Sequence, residues 1–390
     1  MIKTELGPTP KSFQLHSTLL SRHSPWFAND FQASTSGSSP TWYSYTIEQV
    51  DSKVGLLRHH TSGERPNVSY GQPQTIDDIV IKVEDTSEEV CAASTKSTAL
   101  TLPRKTSPSA SAALKCYTQI FGTFYSIPPH ISTNSIIAAL VQTESLANTA
   151  TELGCLHLLR PYTGNVFSQY RQALFLAIKA DPARWIQLAI SFENQSIYTE
   201  CLVHLIGAYP GWSPAWPTKR TVLPEYLRNL IKRKSHEIDL ERTEIERNIL
   251  LTSIPYGRKG LPLDPTDRRQ TETWLTVQAF RDQLAQRIDK LDRTRDALSR
   301  GTLFRGLFKG TLPCLQTEHV RKICKGIMHC DWQEIDDDLK SLRDHTGKLV
   351  ADLAANELMI DPDANGVGYL TCAKIKNEDV PWLATSHSAG

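Results

Sequence analysis

The chain has 390 residues, of which 40% are hydrophobic and 22% are charged. This length is enough for two or three domains, and the apolar fraction is enough to bury a core in each of them. The 43 Lys and Arg residues nearly balance the 42 Asp and Glu residues, which leaves a net charge of +1. The overall charge therefore excludes a protein that is drawn as a whole to nucleic acid or to an anionic membrane.

The eight cysteines are scattered along the chain and lack the density of a secreted disulfide scaffold. We interpret them as reduced intracellular thiols: Cys91, Cys116, Cys155, Cys201, Cys314, Cys324, Cys330 and Cys372. The opening "MIKTELGPTPKS" has no apolar signal core, and no window reaches the roughly 18 uncharged apolar residues of a membrane span. The sequence predicts an intracellular protein, cytoplasmic or nuclear or both, without a membrane partner.

The first 33 residues predict a hairpin that leads into two short helices. A short strand from Ile2 ends at the Gly7-Pro8 turn signal, and "SFQLHS" then alternates. Apolar side chains follow at helical spacing, but Pro25 must begin a new helix. The helical positions are Leu19, Leu20, His23, Phe27 and Phe31.

A long insert interrupts this region. From about residue 62 to residue 113 the composition shifts to Ser, Thr, Pro and Glu, as in "STKSTALTLPRKTSPSASAA". Such a segment holds too little apolar surface to offset the entropy of ordering the chain. We predict that the insert is disordered.

Helical patterns dominate the rest of the chain. "LKCYTQIFGTFYSI" puts apolar residues on one helical face before Pro128-Pro129, and the next helix has Ser132 as a plausible N-cap and Gly154 as its stop. Asp181-Pro182 opens another helix. A later helix carries apolar residues seven apart, which fits packing on a domain better than a long coiled coil: Val277, Leu284, Leu291 and Leu298, with Ile288 between them.

The opening stretch "FQLHSTLLSRHSPWFANDF" resembles the signature of the BTB/POZ fold, in which a strand enters a helix through an apolar-x-apolar-His step. Later segments, including "YTQIFGTFYSI", follow in the order that the fold expects. The block after residue 170 is similar to the helical extension of BTB proteins of filamentous fungi. The positions that carry the resemblance are Phe13, Leu15, His16, Leu19, Leu20, Ser24, Pro25 and Phe27.

The resemblance implies an α+β fold class, with a BTB/POZ-like domain in residues 1–165, a helical extension in 166–252 and a helical C-terminal region in 253–390. It also implies a non-enzymatic adaptor for protein partners, one form of which is a substrate adaptor of a cullin ubiquitin ligase. His16 and Phe27 are then core residues, with His16 bonding a backbone carbonyl at the strand-to-helix corner. Because only "MIKTEL" precedes the first turn, we expect a monomeric or weakly self-associating chain.

Two C-terminal segments contain residue types that bind metals. "DPDANGVGYLTC" begins like a calcium loop, with Asp361, Asp363 and Asn365 alternating before Gly366, but its twelfth position is Cys372 instead of glutamate. A turn before a strand explains the same residues. The second segment has cysteine spacings that do not form a zinc knuckle, so buried thiols are the preferred interpretation of Cys314, His319, Cys324, His329 and Cys330.

The sequence therefore predicts no catalytic residues, no cofactor and no metal. It contains no Gly-rich phosphate loop, no nucleophile elbow and no His-Glu-x-x-His motif. The basic run "RNLIKRKSHEIDLERTEIER" alternates into acids and is typical of a solvated helix face. Two alternatives to the adaptor stay open: a transcription- or chromatin-associated factor, and a metal-dependent enzyme that uses the C-terminal Cys, His and Asp residues.

Overall fold

The computed structural model describes residues 2–4, 11–13, 15–33, 43–50, 53–61, 110–257, 260–294, 297–326 and 332–384. Contacts group the chain into two compact units, Met1–Thr163 and Gly164–Gly390. The regions 166–252 and 253–390, which the sequence analysis separates, thus belong to one unit. The predicted disordered insert lies outside the described residues, except for its last positions from Ala110 onward, which begin a helix.

The described residues of the first unit include four strands, two helices before residue 110 and further helices after it. The strands form one small sheet in the order β2-β1-β3-β4, in which β1 and β3 are parallel and the other neighbours are antiparallel. In chain order the elements are β1 Ile2–Thr4, β2 Lys11–Phe13, α1 Ser17–His23, α2 Pro25–Ala33, β3 Tyr43–Val50, β4 Lys53–Thr61, α3 Ala110–Phe124 and α4 Ile136–Glu152.

The predicted fold class is wrong. Helices account for 69% of the residues interpreted in the structure, so the chain is mostly α and not an α+β protein with a BTB/POZ-like domain. The strands are only three to nine residues long. The sequence pattern around His16 is local, and a pair of short helices satisfies it, whereas most of the described residues after residue 110 are helical.

Aromatic packing forms the core of the first unit. Phe27 of α2 has no exposed surface and meets Tyr45 of β3 edge to face, with ring centroids 5.5 Å apart. The predicted apolar face of α3 is buried because its residues recur three and four apart: Tyr117, Ile120, Phe121 and Phe124.

The described residues of the second unit are mainly helical. The chain enters it within α5, and the helices that follow pack around two groups of buried apolar side chains, one about Trp185 and one about Phe280 and Phe304. The helices are α5 Arg160–Gln169, α6 Gln172–Ala180, α7 Pro182–Phe192, α8 Gln195–Gly207, α9 Glu225–Leu251, α10 Thr271–Thr294, α11 Arg300–Phe308, α12 Thr317–Cys324, α13 Trp332–Ala354 and α14 Pro381–Ala384.

We call residues 355–380, which follow α13 and contain no α-helix, the extended segment; the chain turns within it at residues 362–366. Glycines on two helices leave room for its backbone: a Cβ on Gly207 of α8 would overlap the Leu370 carbonyl, and a Cβ on Gly301 of α11 would overlap the Tyr369 carbonyl. Only glycine permits so close an approach. The segment therefore lies directly on the backbones of α8 and α11.

None of the helices in the described ranges combines the length and the hydropathy needed to cross a membrane.

Candidate functional site

The residues around His16 make contacts that support the fold, but His16 itself does not take the position that the sequence predicts. Phe27 is buried as expected, and the buried Ser24 hydroxyl donates to the Leu153 carbonyl at 2.5 Å. His16 is exposed, so its assignment to the core is wrong. It occupies the N-cap position of α1, where its backbone N–H donates to the Tyr125 hydroxyl at 2.9 Å and its Nδ1 lies 3.1 Å from the same oxygen.

The other residues of that signature divide between core and surface. Leu20 is buried, Phe13, Leu15 and Leu19 are half-buried, and Pro25 is exposed as the first residue of α2. They support the corner between β2 and the first two helices.

The calcium-like loop is a turn closed by its own hydrogen bonds. The Asp361 carboxylate accepts the backbone N–H of Asp363 at 2.9 Å, and Gly366 takes a φ of +64°. The Asp363 carboxylate forms two ion pairs. One is with Arg305 of α11, whose Nε lies at 2.7 Å, and the other is with Lys309 at the C-terminal end of α11, whose Nζ lies at 2.6 Å. The hydrogen bond from Lys309, and then that from Arg305, lowers the pKa of Asp363. These carboxylates serve the turn and two ion pairs.

The second metal-like segment does not bring its described members together as ligands. Cys314 and Cys324 are buried, and burial raises the pKa of the Cys314 thiol to about 11. A neutral buried thiol is a poor nucleophile and a poor metal ligand. His329 and Cys330 lie outside the described residues. Among the residues that the structure describes, no three His, Cys, Asp or Glu side chains are grouped to hold a metal ion.

One acid–histidine pair is buried inside the second unit. Glu200 and His204 of α8 are 2% and 0% exposed, and Glu200 Oε1 lies 3.9 Å from His204 Nε2. Burial raises the pKa of Glu200 to about 7 and lowers the pKa of His204 to about 3. The Glu200 carboxylate accepts the Met359 N–H at 3.0 and 3.2 Å, and His204 Nδ1 lies 2.6 Å from the Tyr369 hydroxyl.

This pair resembles an acid–base catalyst in composition but not in access. Each of its hydrogen-bond partners belongs to the extended segment, and its side chains have almost no surface for a substrate. Its role is to hold residues 359 and 369 against α8.

A cleft of about 270 Å³ lies beside α9 and contains two arginines. Both guanidinium groups form ion pairs with carboxylates. Arg242 pairs with Glu246 at 2.6 Å. Arg300 pairs with the same carboxylate at 3.3 Å and also with Asp292. With its arginines neutralised in this way, the cleft offers no free cation for an anionic ligand.

The strongest candidate for a binding site is a groove of about 440 Å³ between α11 and the extended segment. We call it the Phe308–Met359 groove, after two apolar residues that line it and are 53% and 59% exposed. Buried apolar residues of the extended segment line it, and the ion pairs of Asp363 form one edge. The lining residues are Arg305, Phe308, Lys309, Ala354, Asn356, Leu358, Met359, Ile360, Asp361, Pro362 and Asp363.

The groove is held rigidly on the side of Met359. Its N–H donates to Glu200, and its carbonyl accepts the Gln172 side-chain amide at 3.3 Å. The Asn356 amide donates to the carbonyls of Leu358 at 3.1 Å and Ile360 at 2.9 Å, which closes the turn that presents Met359. The backbone of Met359 is thus fixed on both sides while its side chain faces solvent.

The opposite wall is anchored by Arg305, which is 5% exposed. Its guanidinium donates to the carbonyls of Tyr369, at 3.2 Å, and Val367 in addition to the Asp363 carboxylate. The backbone of Met359 and the guanidinium of Arg305 are thus both held by hydrogen bonds within the folded chain.

Comparisons of the chain with protein-family models, with curated proteins and with solved structures found no significant match.

Proposed function

We propose that this chain is a non-enzymatic protein-interaction protein whose Phe308–Met359 groove binds an apolar side chain of a partner protein. The observation that carries the proposal is the fixed backbone and exposed side chain of Met359. An apolar side chain held in a set position loses little entropy when a partner covers it, which favours binding.

Apolar burial supplies the expected affinity. Phe308 and Met359 each have about half of their surface left to bury, which corresponds to roughly 1–1.5 kcal/mol for each side chain. Methionine adapts to partners of different shape because it is unbranched and flexible. A segment that presents a leucine or an aromatic side chain to the groove is the occupant that this chemistry fits, as in helix-in-groove recognition.

The edge of the groove favours a protein partner over nucleic acid. Lys309 and Arg305 both pair with Asp363, and Asp361 is a second carboxylate of the lining, so two positive and two negative charges balance there. Binding that depends on apolar contact changes little with salt, whereas binding to phosphates weakens steeply. A weak salt dependence of partner binding therefore separates the proposed interaction from that of a chromatin-associated factor.

The proposal includes an intracellular location. The six cysteines among the described residues are free thiols, and five of them are buried. Free thiols are expected in a reducing compartment.

In the test, a photo-crosslinking amino acid replaces Phe308 in the full chain, which is expressed in the cell that naturally contains it. The protein that becomes crosslinked to the chain is then identified. The matched control carries the same amino acid at Ile323 of α12, which is 49% exposed and does not line the groove. A protein crosslinked from position 308 and not from 323 is then purified, and its affinity is measured for wild type, Met359→Ser and Ile323→Ser. Loss of affinity in Met359→Ser alone supports the proposal, and equal affinities of the three chains contradict it.

A further inference from the structure

The long helix α9 has a face, on the side opposite the core, whose side chains are mostly exposed among the described residues. Its core side is set by Leu227, Ile231 and Ile249, which are buried. About half a turn away runs a stripe of side chains separated alternately by three and four residues. We call this set the α9 stripe: Tyr226, Leu230, Arg233, Glu237, Leu240, Glu244, Arg247 and Leu251.

The stripe is open to solvent. Leu240 and Leu251 are 60% and 63% exposed, and Tyr226 is 47% exposed. Arg233 remains 62% exposed although its Nη2 contacts Asp379 Oδ1 at 3.2 Å. Alternating steps of three and four residues are the spacing of a seam between two helices, so the stripe has the periodicity of an interhelical contact.

The order of side chains along the stripe is complementary to itself when a second copy runs in the opposite direction. In an antiparallel pair, the residues that face each other have numbers with a constant sum. With a sum of 477, Arg233 faces Glu244 of the other copy, and Tyr226 faces Leu251. Glu237 faces Leu240, and Leu230 faces the long side chain of Arg247, whose methylene groups can cover apolar surface.

The parallel arrangement of the same two helices is disfavoured. It would set each charged residue of the stripe against itself, with Arg233 against Arg233 and Glu244 against Glu244. Like charges in such positions cost free energy, while opposite charges fix the register and the orientation. In the antiparallel pairing, no two residues that face each other directly carry like charges.

From this pattern we infer that the α9 stripe is a self-association surface, on which a second copy of the chain binds antiparallel and pairs Arg233 with Glu244 twice about a two-fold axis. The helix has 27 residues, so the contact runs along about 40 Å. Its mixed apolar and charged character gives a reversible dimer, not an obligate one. This surface is separate from the Phe308–Met359 groove, and a dimer built on it leaves the proposed partner site uncovered by the stripe itself.

The test is a charge exchange read by sedimentation of the full chain at micromolar concentrations. Glu244→Arg puts arginine opposite Arg233 in both contacts and is expected to weaken the dimer about tenfold or more. The double variant Glu244→Arg with Arg233→Glu restores opposite charges and is expected to recover most of the wild-type association. Asp282→Arg makes the same change of charge on an exposed position of α10 and serves as the control.

Circular dichroism and thermal unfolding show whether each variant is folded. Because Arg233 also contacts Asp379, Leu251→Ser provides an independent variant: Leu251 is 63% exposed, and its replacement is expected to weaken association without loss of fold. A wild-type chain that stays monomeric at every concentration overturns the inference. So does a dimer that is unchanged by both Glu244→Arg and Leu251→Ser, or a folded double variant that fails to recover association.

Discussion

Replacing Glu200 by glutamine should stabilise the second unit above neutral pH. Glu200 is 2% exposed, and no cation lies against its carboxylate among the described ion pairs. Burial raises its pKa from 4.5 to about 7 in the folded chain. A carboxyl group whose folded pKa is raised stabilises the fold while it is protonated, and that stability is lost as the pH rises through the folded value.

The magnitude follows from the two pKa values. Their difference of about 2.5 units corresponds to roughly 3 kcal/mol, since each unit is worth about 1.4 kcal/mol. Glutamine keeps the oxygen that accepts the Met359 N–H but carries no charge. At pH 8 Glu200→Gln should therefore exceed wild type in free energy of unfolding by up to about 3 kcal/mol, and below pH 4.5 the two chains should agree closely.

The assay is urea unfolding followed by tryptophan fluorescence at a series of pH values. The difference between variant and wild type reports on Glu200 and its direct neighbours, because groups that do not interact with it titrate alike in both chains. Glu318→Gln is the matched control, since Glu318 is exposed on α12 and belongs neither to the groove nor to the α9 stripe. A Glu200→Gln chain that shows the pH dependence of wild type, or that is less stable at pH 8, refutes the reasoning.

Other predictions concern packing. Gly301→Ala forces a Cβ onto the Tyr369 carbonyl and should cost about 1–3 kcal/mol or more in thermal unfolding, whereas Gly326→Ala, which meets no atom within 4 Å, should not. Phe27→Ala removes a side chain with no exposed surface and should cost roughly 3–5 kcal/mol by cavity formation; a melting curve equal to wild type would contradict this. Arg305→Met leaves three acceptors of the extended segment without their donor, and should lower stability by about 2 kcal/mol or more and weaken partner binding; an unchanged affinity would argue against a rigid groove.

The local structure follows from the sequence wherever one side chain decides it. Pro25 begins α2 because its ring cannot continue α1, and Asp181 caps α7 by accepting the Arg184 N–H, with Pro182 at the first helical position. The cap of α4 was predicted three residues early: Ser135, not Ser132, accepts the Ala138 N–H. Both serines precede the same apolar run, and the backbone at Ser135 is the one that turns.

The fold class and the site could not be predicted in the same way. The resemblance rested on a short stretch around His16, and a local pattern does not determine how much of the chain becomes sheet. The groove depends on Met359 and Phe308, which are 51 positions apart and carry no motif. Only the contacts of the extended segment with α8 and α11 bring them together, and those contacts require glycines whose role appears only in three dimensions.

The central claim is that the Phe308–Met359 groove binds a protein partner through apolar contact. Its most direct measurement is calorimetric titration of the partner identified by crosslinking against wild type, Phe308→Ser and Ile323→Ser. We expect Phe308→Ser to weaken binding by about tenfold or more, which corresponds to roughly 1.4 kcal/mol, and Ile323→Ser to bind as wild type does. Equal affinity of wild type and Phe308→Ser would contradict the proposed site.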